Sequence, residues 1–244
     1  MITGLDHVAL DVPDPARAAT DLGLLLGRRF DGNRVRLANL GIELRASPGP
    51  AGLSLLAFAT DTPDQAARLL ERRGLSPGLT QERIALPVEK THGVVMALGR
   101  GTGESPSPLL DSDDAAAIVG LDHVVVRTPD PDRAVALYAG RLGLDLRLDR
   151  SNPDWGARLL FFRCGDLVVE VAHDLKKGRG DGPDRLWGLS WRASDIKRVH
   201  ARLGASGIAT SEIRTGRRPG TEVFTVRSHT ADVPTIMIGG LGRW

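Results

Sequence analysis

The sequence predicts an α+β fold of four consecutive modules, each running strand, helix and further strands. The main observation is an internal repeat, because residues 4–8 and residues 120–124 both read Gly-Leu-Asp-His-Val. Each copy continues into Pro-Asp-Pro, at residues 13–15 and 129–131. An internal repeat constrains the whole architecture before any single element is assigned. It therefore predicts two halves that share one plan, with one histidine at the same place in each.

The composition is that of an ordinary globular protein. The chain has 244 residues, of which 41% are hydrophobic and 25% charged, and its formal net charge is +2. The basic residues are scattered, so we expect no nucleic-acid partner. The sequence shows neither a long apolar run nor a secretory signal, which predicts no membrane association. The single cysteine, Cys164, allows no internal disulfide and favours a cytoplasmic location.

The first half reads as two modules. Asp14 offers a helix N-cap with Pro15 at the first helical position, and apolar residues then recur at helical spacing up to Gly27. A second helix is predicted from the cap at residues 61–64 to about residue 73. Alternating or continuous apolar runs predict strands at 4–10, 34–40, 42–46, 53–58, 83–87 and 93–98.

The second half repeats this order after a break. Residues 101–117 are predicted to be a linker, because they are rich in Gly, Ser and Pro. The linker separates a domain at residues 1–100 from a domain at residues 118–244, each with two modules. In the second domain, Asp130 and Asp195 are predicted to open helices. Strands are predicted at 121–127, 145–149, 157–163, 167–173, 187–193, 222–227 and 235–238.

Several motifs of the second half resemble one known family. They are Leu121-Asp122-His123-Val124-Val125-Val126, Pro129-Asp130, Tyr138 with Leu142-Gly143-Leu144, and Gly165-Asp166-Leu167-Val168-Val169-Glu170-Val171. Together they resemble the vicinal oxygen chelate superfamily, which includes glyoxalase I, bleomycin-resistance proteins and extradiol dioxygenases. The resemblance covers nearly the whole chain and is strongest in residues 119–175. It implies tandem βαβββ modules, four in total, that form two U-shaped mixed-sheet clefts.

The resemblance also implies where metal ligands would lie, on the first and last strands of a module. His123 and Glu170 occupy these positions in the third module, and His7 and Glu43 occupy them, as a weaker site, in the first. In the even modules the corresponding positions fall on residues that are not ligands for this family's metals, namely Gly188, Met237 and Met96. Two protein ligands alone rarely hold Zn, Fe or Mn tightly. The family's metal site is therefore predicted to be incomplete.

Three interpretations of His123 and Glu170 stay open. They are ligands of one divalent metal (Fe, Mn, Zn or Ni), a metal-free catalytic acid–base pair, or an inherited pair that satisfies only itself. Strand alternation places His123 with Val125 on one face and Val124 on the other.

Aromatic residues are concentrated in the second half, where flat rings often line small-molecule sites. The residues predicted to bind the ligand are Trp155, Trp187, Trp191 and Phe162. The alternative is that they fill the core, which is the commoner role of large aromatic side chains.

The sequence therefore predicts a glyoxalase/bleomycin-resistance/dioxygenase-like protein that acts on or binds a small organic ligand in the C-terminal cleft. As an enzyme, it would be a metal-dependent lyase, isomerase or extradiol-type dioxygenase. The alternative is a metal-free protein that sequesters a drug or metabolite without catalysis. A monomer or a homodimer is expected. The modules are expected to pair one with two and three with four, with one–four and two–three as the alternative.

Overall fold

A computed structural model describes residues 1–79, 83–111 and 116–240. The strands are β1 (Ile2–Val12), β2 (Arg34–Arg36), β3 (Gly41–Ala46), β4 (Gly52–Thr60), β5 (Gly78–Leu79), β6 (Ile84–Leu86), β7 (Met96–Gly99), β8 (Ile118–Arg127), β9 (Asp145–Asn152), β10 (Ala157–Cys164), β11 (Leu167–Asp174), β12 (Arg185–Ala193), β13 (Arg214–Thr215), β14 (Glu222–Val226) and β15 (Thr235–Gly239). The α-helices are α1 (Pro15–Leu26), α2 (Pro63–Arg72), α3 (Pro131–Val135) and α4 (Ile196–Ala205). A π-helical turn continues α3 over Ala136–Arg141, and a 3-10 turn spans Pro153–Trp155. Over the described ranges, every helix is too short or too polar to cross a membrane.

The strands form two mixed sheets. β1 to β7 form a seven-stranded sheet in the order β2-β3-β1-β4-β7-β6-β5, and β8 to β15 form an eight-stranded sheet in the order β13-β14-β15-β12-β8-β11-β10-β9. β8 is parallel to β11 and β12 is parallel to β15, whereas β10 is antiparallel to both β9 and β11. The third and fourth modules therefore have the same internal strand order. This arrangement confirms the predicted α+β class and the tandem βαβββ modules.

The chain also divides into two compact units, and each takes segments from both halves of the sequence. Unit 1 consists of Met1–His7, Ser54–Gly103 and His123–Trp187, and unit 2 consists of Val8–Leu53, Glu104–Asp122 and Gly188–Trp244. Each sheet therefore joins consecutive modules, the first with the second and the third with the fourth. The compact units group the modules differently, the second with the third and the first with the fourth. Which two modules enclose a cleft stays a prediction. The domain boundaries at residues 1–100 and 118–244 stay a prediction.

Part of the predicted linker is held by backbone hydrogen bonds within unit 2. Ser107 N donates to Arg36 O at 2.8 Å, and Leu110 N donates to Gly27 O at 2.9 Å. Residues 107–110 therefore lie along the first module in an ordered path, although their composition is typical of a flexible connection. Residues 112–115, which complete the predicted linker, lie outside the described residues.

The third module begins as its sequence predicts. The Asp130 side chain accepts hydrogen bonds from the backbone N–H groups of Asp132 and Arg133, with Pro131 at the start of α3. These bonds satisfy donors that have no partner within the helix. The cap fixes the start of α3, which packs against β10 and β11.

A glycine is required where β10 turns into β11. Gly165 has φ +61°, a conformation that strains residues with a Cβ. A Cβ at this position would also lie only 2.6 Å from the carbonyl oxygen of Thr3. The turn sets the register of the two strands, because Cys164 pairs with Leu167 immediately across it.

A buried polar cluster ties α3 to the segment before β12. Asp184 Oδ1 accepts a hydrogen bond from Thr128 Oγ1 at 2.6 Å and from Arg133 Nη2 at 2.7 Å. The Asp184 side chain is fully buried, and its backbone N–H donates to His92 O. Burial raises the pKa of the nearby Tyr138 hydroxyl, and the negative charge of Asp184 raises it further.

The reactivity of Cys164 tests whether the end of β10 opens to solvent in the native protein. The residue is 1% exposed, and burial raises the pKa of its thiol to about 12. Since the thiolate is the reactive form, we expect no reaction of the native protein with an aromatic disulfide reagent near neutral pH. In guanidinium chloride, one equivalent of coloured thiolate should be released. Rapid release from the native protein would show that β10 opens readily.

Candidate functional site

The candidate site lies on two adjacent parallel strands, β8 and β11. Val168 is directly opposite His123, and Glu170 is directly opposite Val125. Side chains of residues that lie opposite one another project to the same side of a sheet, and the side alternates along each strand. His123 and Glu170 therefore share one face, which we call the His123 face. Val124 projects to the other side and is fully buried.

The two polar side chains of this face meet. His123 Nε2 lies 3.2 Å from Glu170 Oε2, and the side chains are 20% and 15% exposed. Both groups are therefore partly removed from water and still reachable by a ligand. The separation is short enough for a proton to pass between them or through a bound ligand.

An apolar surface continues from this pair across the next two strands. Phe161 on β10 lies opposite Glu170, and Leu148 on β9 lies opposite Phe161. Phe161 is half-buried and Leu148 is exposed. Phe161 is not among the residues that the sequence predicts for the site. Counting outward from the Gly165 turn would have identified it, because that turn fixes which residue of β10 faces Glu170.

Two of the predicted ligand-binding aromatics lie in the core instead. Phe162 projects to the side opposite Phe161 and packs against Tyr138, with ring centroids 5.2 Å apart. Trp191 is 1% exposed and lies opposite Met237 on β15. Both side chains are among the largest fully buried ones. Neither offers a surface to a ligand here, because each side chain is enclosed by its neighbours.

The other two predicted aromatics are accessible. Trp155 is 38% exposed and Trp187 is 36% exposed. The Arg150 guanidinium carbon lies 5.2 Å from the Trp155 ring centroid, and that of Arg127 lies 4.1 Å from the Trp187 ring centroid. These are distances at which a cation is attracted to the face of an aromatic ring. Each tryptophan is therefore accompanied by an arginine.

In the weaker predicted site, in the first module, arginine side chains contact both predicted metal ligands. His7 Nδ1 lies 2.8 Å from Asp6 Oδ2, and Arg83 Nη1 lies 3.2 Å from His7 Nε2. A guanidinium can only donate, so it takes the nitrogen lone pair that a metal would need. Glu43 is likewise held, by Arg34 at 3.4 Å and Arg45 at 3.1 Å. Arginine thus engages the His7 ring nitrogen and balances the Glu43 charge, which disfavours a divalent ion on either group.

The even-module positions differ from the sequence interpretation. Met237 is fully buried, and the half-exposed residues of β15 are its neighbours Ile236 and Ile238. Met96 is also buried. The methionines are therefore core residues and do not lie on a ligand-accessible face. His173 is buried on the far side of β11, and its Nδ1 donates to Thr128 O at 3.1 Å.

The donor set does not fit a tightly bound divalent ion. Across residues 1–79, 83–111 and 116–240, no three His, Cys, Asp or Glu side chains are grouped so that they could hold a metal. His123 and Glu170 supply one nitrogen and one carboxylate oxygen, whereas stable sites for such ions usually take three or more protein ligands. A resident metal would therefore need ligands beyond those that the described residues bring together.

Comparisons with known proteins agree with this fold. Residues 122–225 match the model of the Glyoxalase/Bleomycin resistance protein/Dioxygenase superfamily. A crystal structure of a Mn(II)-bound glyoxalase from Novosphingobium aromaticivorans superimposes with a TM-score of 0.75 over 99% of this chain and 83% of that chain, at 15% sequence identity. A catechol 2,3-dioxygenase superimposes with a TM-score of 0.70 over 99% of this chain and 93% of that chain, at 18% identity.

The fold and the matched region agree with the resemblance seen in the sequence. Residues 122–225 match this superfamily, and the chain as a whole has the fold of the two solved structures. A curated relative, an ethylmalonyl-CoA/methylmalonyl-CoA epimerase of Cereibacter sphaeroides, is 31% identical over 58 residues. That match spans 24% of this chain and 43% of the epimerase, so the chain covers less than half of that relative's length.

Proposed function

We propose that the protein binds a small organic ligand on the His123 face and that His123 and Glu170 transfer protons to and from it. The observation that supports this most directly is the 3.2 Å separation of His123 Nε2 and Glu170 Oε2 on a half-exposed face. Both groups are accessible, and apolar surface for a ligand adjoins them. The reaction would belong to the isomerase type, in which a proton leaves one carbon and is returned.

The chemistry follows from the two groups. The Glu170 carboxylate can accept a proton from a carbon next to a carbonyl group, and the electron pair moves toward the carbonyl oxygen. His123 can donate a proton to the developing negative charge and recover it afterwards. Positioned proton transfer of this kind contributes about 10²- to 10⁴-fold to a rate. The epimerase relative supports this class of reaction, although the short match carries no substrate to this chain.

A second candidate function is ligand binding without catalysis. The exposed rings of Trp155 and Trp187 favour it, because aromatic surfaces hold organic ligands with little loss of conformational entropy. The wider expectations belong to the same proposal: a small-molecule partner, a monomer or homodimer, and a cytoplasmic location.

The test that separates the two candidates is exchange of carbon-bound hydrogen. The protein is incubated in deuterium oxide with a panel of 2-substituted carboxylic acids and their thioesters, and deuterium at carbon 2 is followed by NMR. The acid–base proposal expects exchange of at least one panel member. A panel member that binds without exchange would favour the sequestering protein, and it would count against catalysis.

Metal analysis tests the remaining alternative. We expect protein purified without a histidine tag to hold well below one equivalent of Fe, Mn, Zn or Ni, because the described residues offer only two grouped ligands. The His123→Ala variant should give the same result. Near-stoichiometric metal in the wild type that is lost in His123→Ala would contradict this and indicate a metal-dependent lyase or dioxygenase.

A further inference from the structure

We propose that the ligand of the His123 face is an organic anion, and that its carboxylate or phosphate group binds to one of two arginines at the ends of this face, Arg127 or Arg150. This inference rests on one part of the proposed function, namely that the His123 face is the binding surface. It does not depend on catalysis, because it concerns only which ligands bind.

The strand register places the two arginines in one row. Arg127 on β8 lies opposite Ala172 on β11, Ala172 lies opposite Leu159 on β10, and Leu159 lies opposite Arg150 on β9. All four residues project to the same side, because opposite residues share a face. That side is the His123 face, since Ala172 is two residues from Glu170. The row therefore has an arginine at each end and an apolar floor between them.

The positive charges of this row are uncompensated. Within the part of the chain that the structure describes, neither the Arg127 nor the Arg150 side chain has an ion pair or a hydrogen bond. Their neighbours differ, because Arg147 pairs with Asp145 at 2.9 Å and Arg158 pairs with Asp149 at 2.7 Å. The sheet thus carries acidic partners for other arginines but none for these two. An anionic ligand would supply the missing charge.

The tryptophans make the arginines suitable for this role. A guanidinium stacked on an aromatic ring keeps its N–H groups available around its edge, where they can bind a carboxylate or phosphate by two hydrogen bonds. Trp187 provides this support for Arg127, and Trp155 provides it for Arg150. Stacking also limits the freedom of the arginine side chain, so less entropy is lost when the anion binds.

The position of the row defines the kind of ligand. Two residues along a strand correspond to about 7 Å, which is the spacing between the arginine row and the row that carries Glu170. A ligand held by its anionic group at Arg150 would place its apolar body on Leu159 and Phe161. Its carbon skeleton would then extend to Glu170. The fit is to a small organic acid or phosphate ester with an apolar portion.

The experiment compares ligands that differ only in charge. Phenylacetate, phenyl phosphate and neutral phenylacetamide are titrated into the full-length protein by calorimetry. We expect at least one of the two anions to bind about tenfold or more tightly than the amide, and this preference to weaken as salt is added. Whichever of phenylacetate and phenyl phosphate binds more tightly identifies the group that the arginines prefer.

Variants assign the preference to one of the two arginines. The variant of the arginine that holds the anion, Arg127→Gln or Arg150→Gln, should weaken anion binding about tenfold and leave phenylacetamide unchanged. The lysine variant of that arginine, which keeps the charge but loses the planar fork, should give an intermediate loss. Arg147→Gln is the matched control, because it removes the same charge from the same strand where Asp145 already compensates it. It should bind the anions as the wild type does.

Several outcomes would overturn the inference. They are equal binding of anion and amide, unchanged anion binding in both glutamine variants, an equal loss in Arg147→Gln, and no binding of any probe up to its solubility limit. The result is separate from the proposed catalysis. Anion-selective binding without hydrogen exchange would sustain this inference and reject catalysis. Hydrogen exchange that depends on Glu170, without any preference for anions, would support catalysis and reject this inference.

Discussion

Glu170→Gln is expected to slow hydrogen exchange into the ligand by about 10²- to 10⁴-fold. The amide keeps the shape of the carboxylate but cannot accept the proton, so the loss should fall on the chemical step. His123→Gln should have an effect of similar size, because His123 Nε2 lies 3.2 Å from Glu170 Oε2 and the two groups act on one proton path. NMR of deuterium incorporation at ligand carbon 2 gives both rates.

The internal repeat supplies a matched control. Glu43→Gln makes the same change at the corresponding position of the first module, where Arg34 and Arg45 hold the carboxylate. We expect it to leave the exchange rate unchanged. Exchange that survives Glu170→Gln, or that falls equally in Glu43→Gln, would reject Glu170 as the base. Calorimetry with the same ligands checks that Glu170→Gln still binds them.

The largest expected effect on stability comes from Asp184→Ala, which should lower the free energy of unfolding by about 3–5 kcal/mol. The Asp184 side chain is fully buried, and it compensates Arg133 at 2.7 Å and Thr128 at 2.6 Å. Alanine would remove the carboxylate that balances the arginine charge and one of the two acceptors of the threonine hydroxyl. Guanidinium-induced unfolding followed by circular dichroism measures the change.

An exposed ion pair serves as the comparison. Asp145 and Arg147 are 61% and 56% exposed, so water and salt screen their attraction. Asp145→Ala should therefore change the free energy of unfolding by less than about 1 kcal/mol. Losses of similar size in Asp184→Ala and Asp145→Ala would show that the buried cluster contributes less than its geometry indicates.

Local patterns were sufficient to predict much of the fold and the central pair of the site. The repeat around His123 indicated the modules, and Asp130 followed by Pro131 indicated the start of a helix. His123 and Glu170 meet because a parallel strand pair brings the first and last strands of a module side by side. The sequence resemblance implied this pairing.

The remaining residues of the site depend on strand register, which the sequence did not fix. Shifting a strand by one residue moves each side chain to the other face. Phe161 and Phe162 are adjacent, and only the register shows that Phe161 lies on the side of Glu170. Because the register was unknown, the sequence interpretation assigned Met237 to the ligand face. In the structure, Ile236 and Ile238 are the half-exposed residues of that strand.

Contacts between distant parts of the chain were equally hidden. Arg83 lies far from His7 in sequence, and no motif relates the two, yet its guanidinium takes the lone pair of the His7 ring. The row that joins Arg127 to Arg150 runs across four strands and depends on the register of each pair. Sequence pattern and spacing could not have predicted the Arg83–His7 contact or the row of arginines, because both come from tertiary structure.

The interleaving of the two compact units has a consequence for synthesis on the ribosome. Unit 1 ends at Trp187, so all of its segments have emerged before translation finishes. Unit 2 combines residues 8–53 with residues from Gly188 onward, which are made later. The apolar segment 8–53 must therefore wait until the segment from Gly188 has been made. During that interval the nascent chain exposes surface that chaperones can bind and that can cause aggregation.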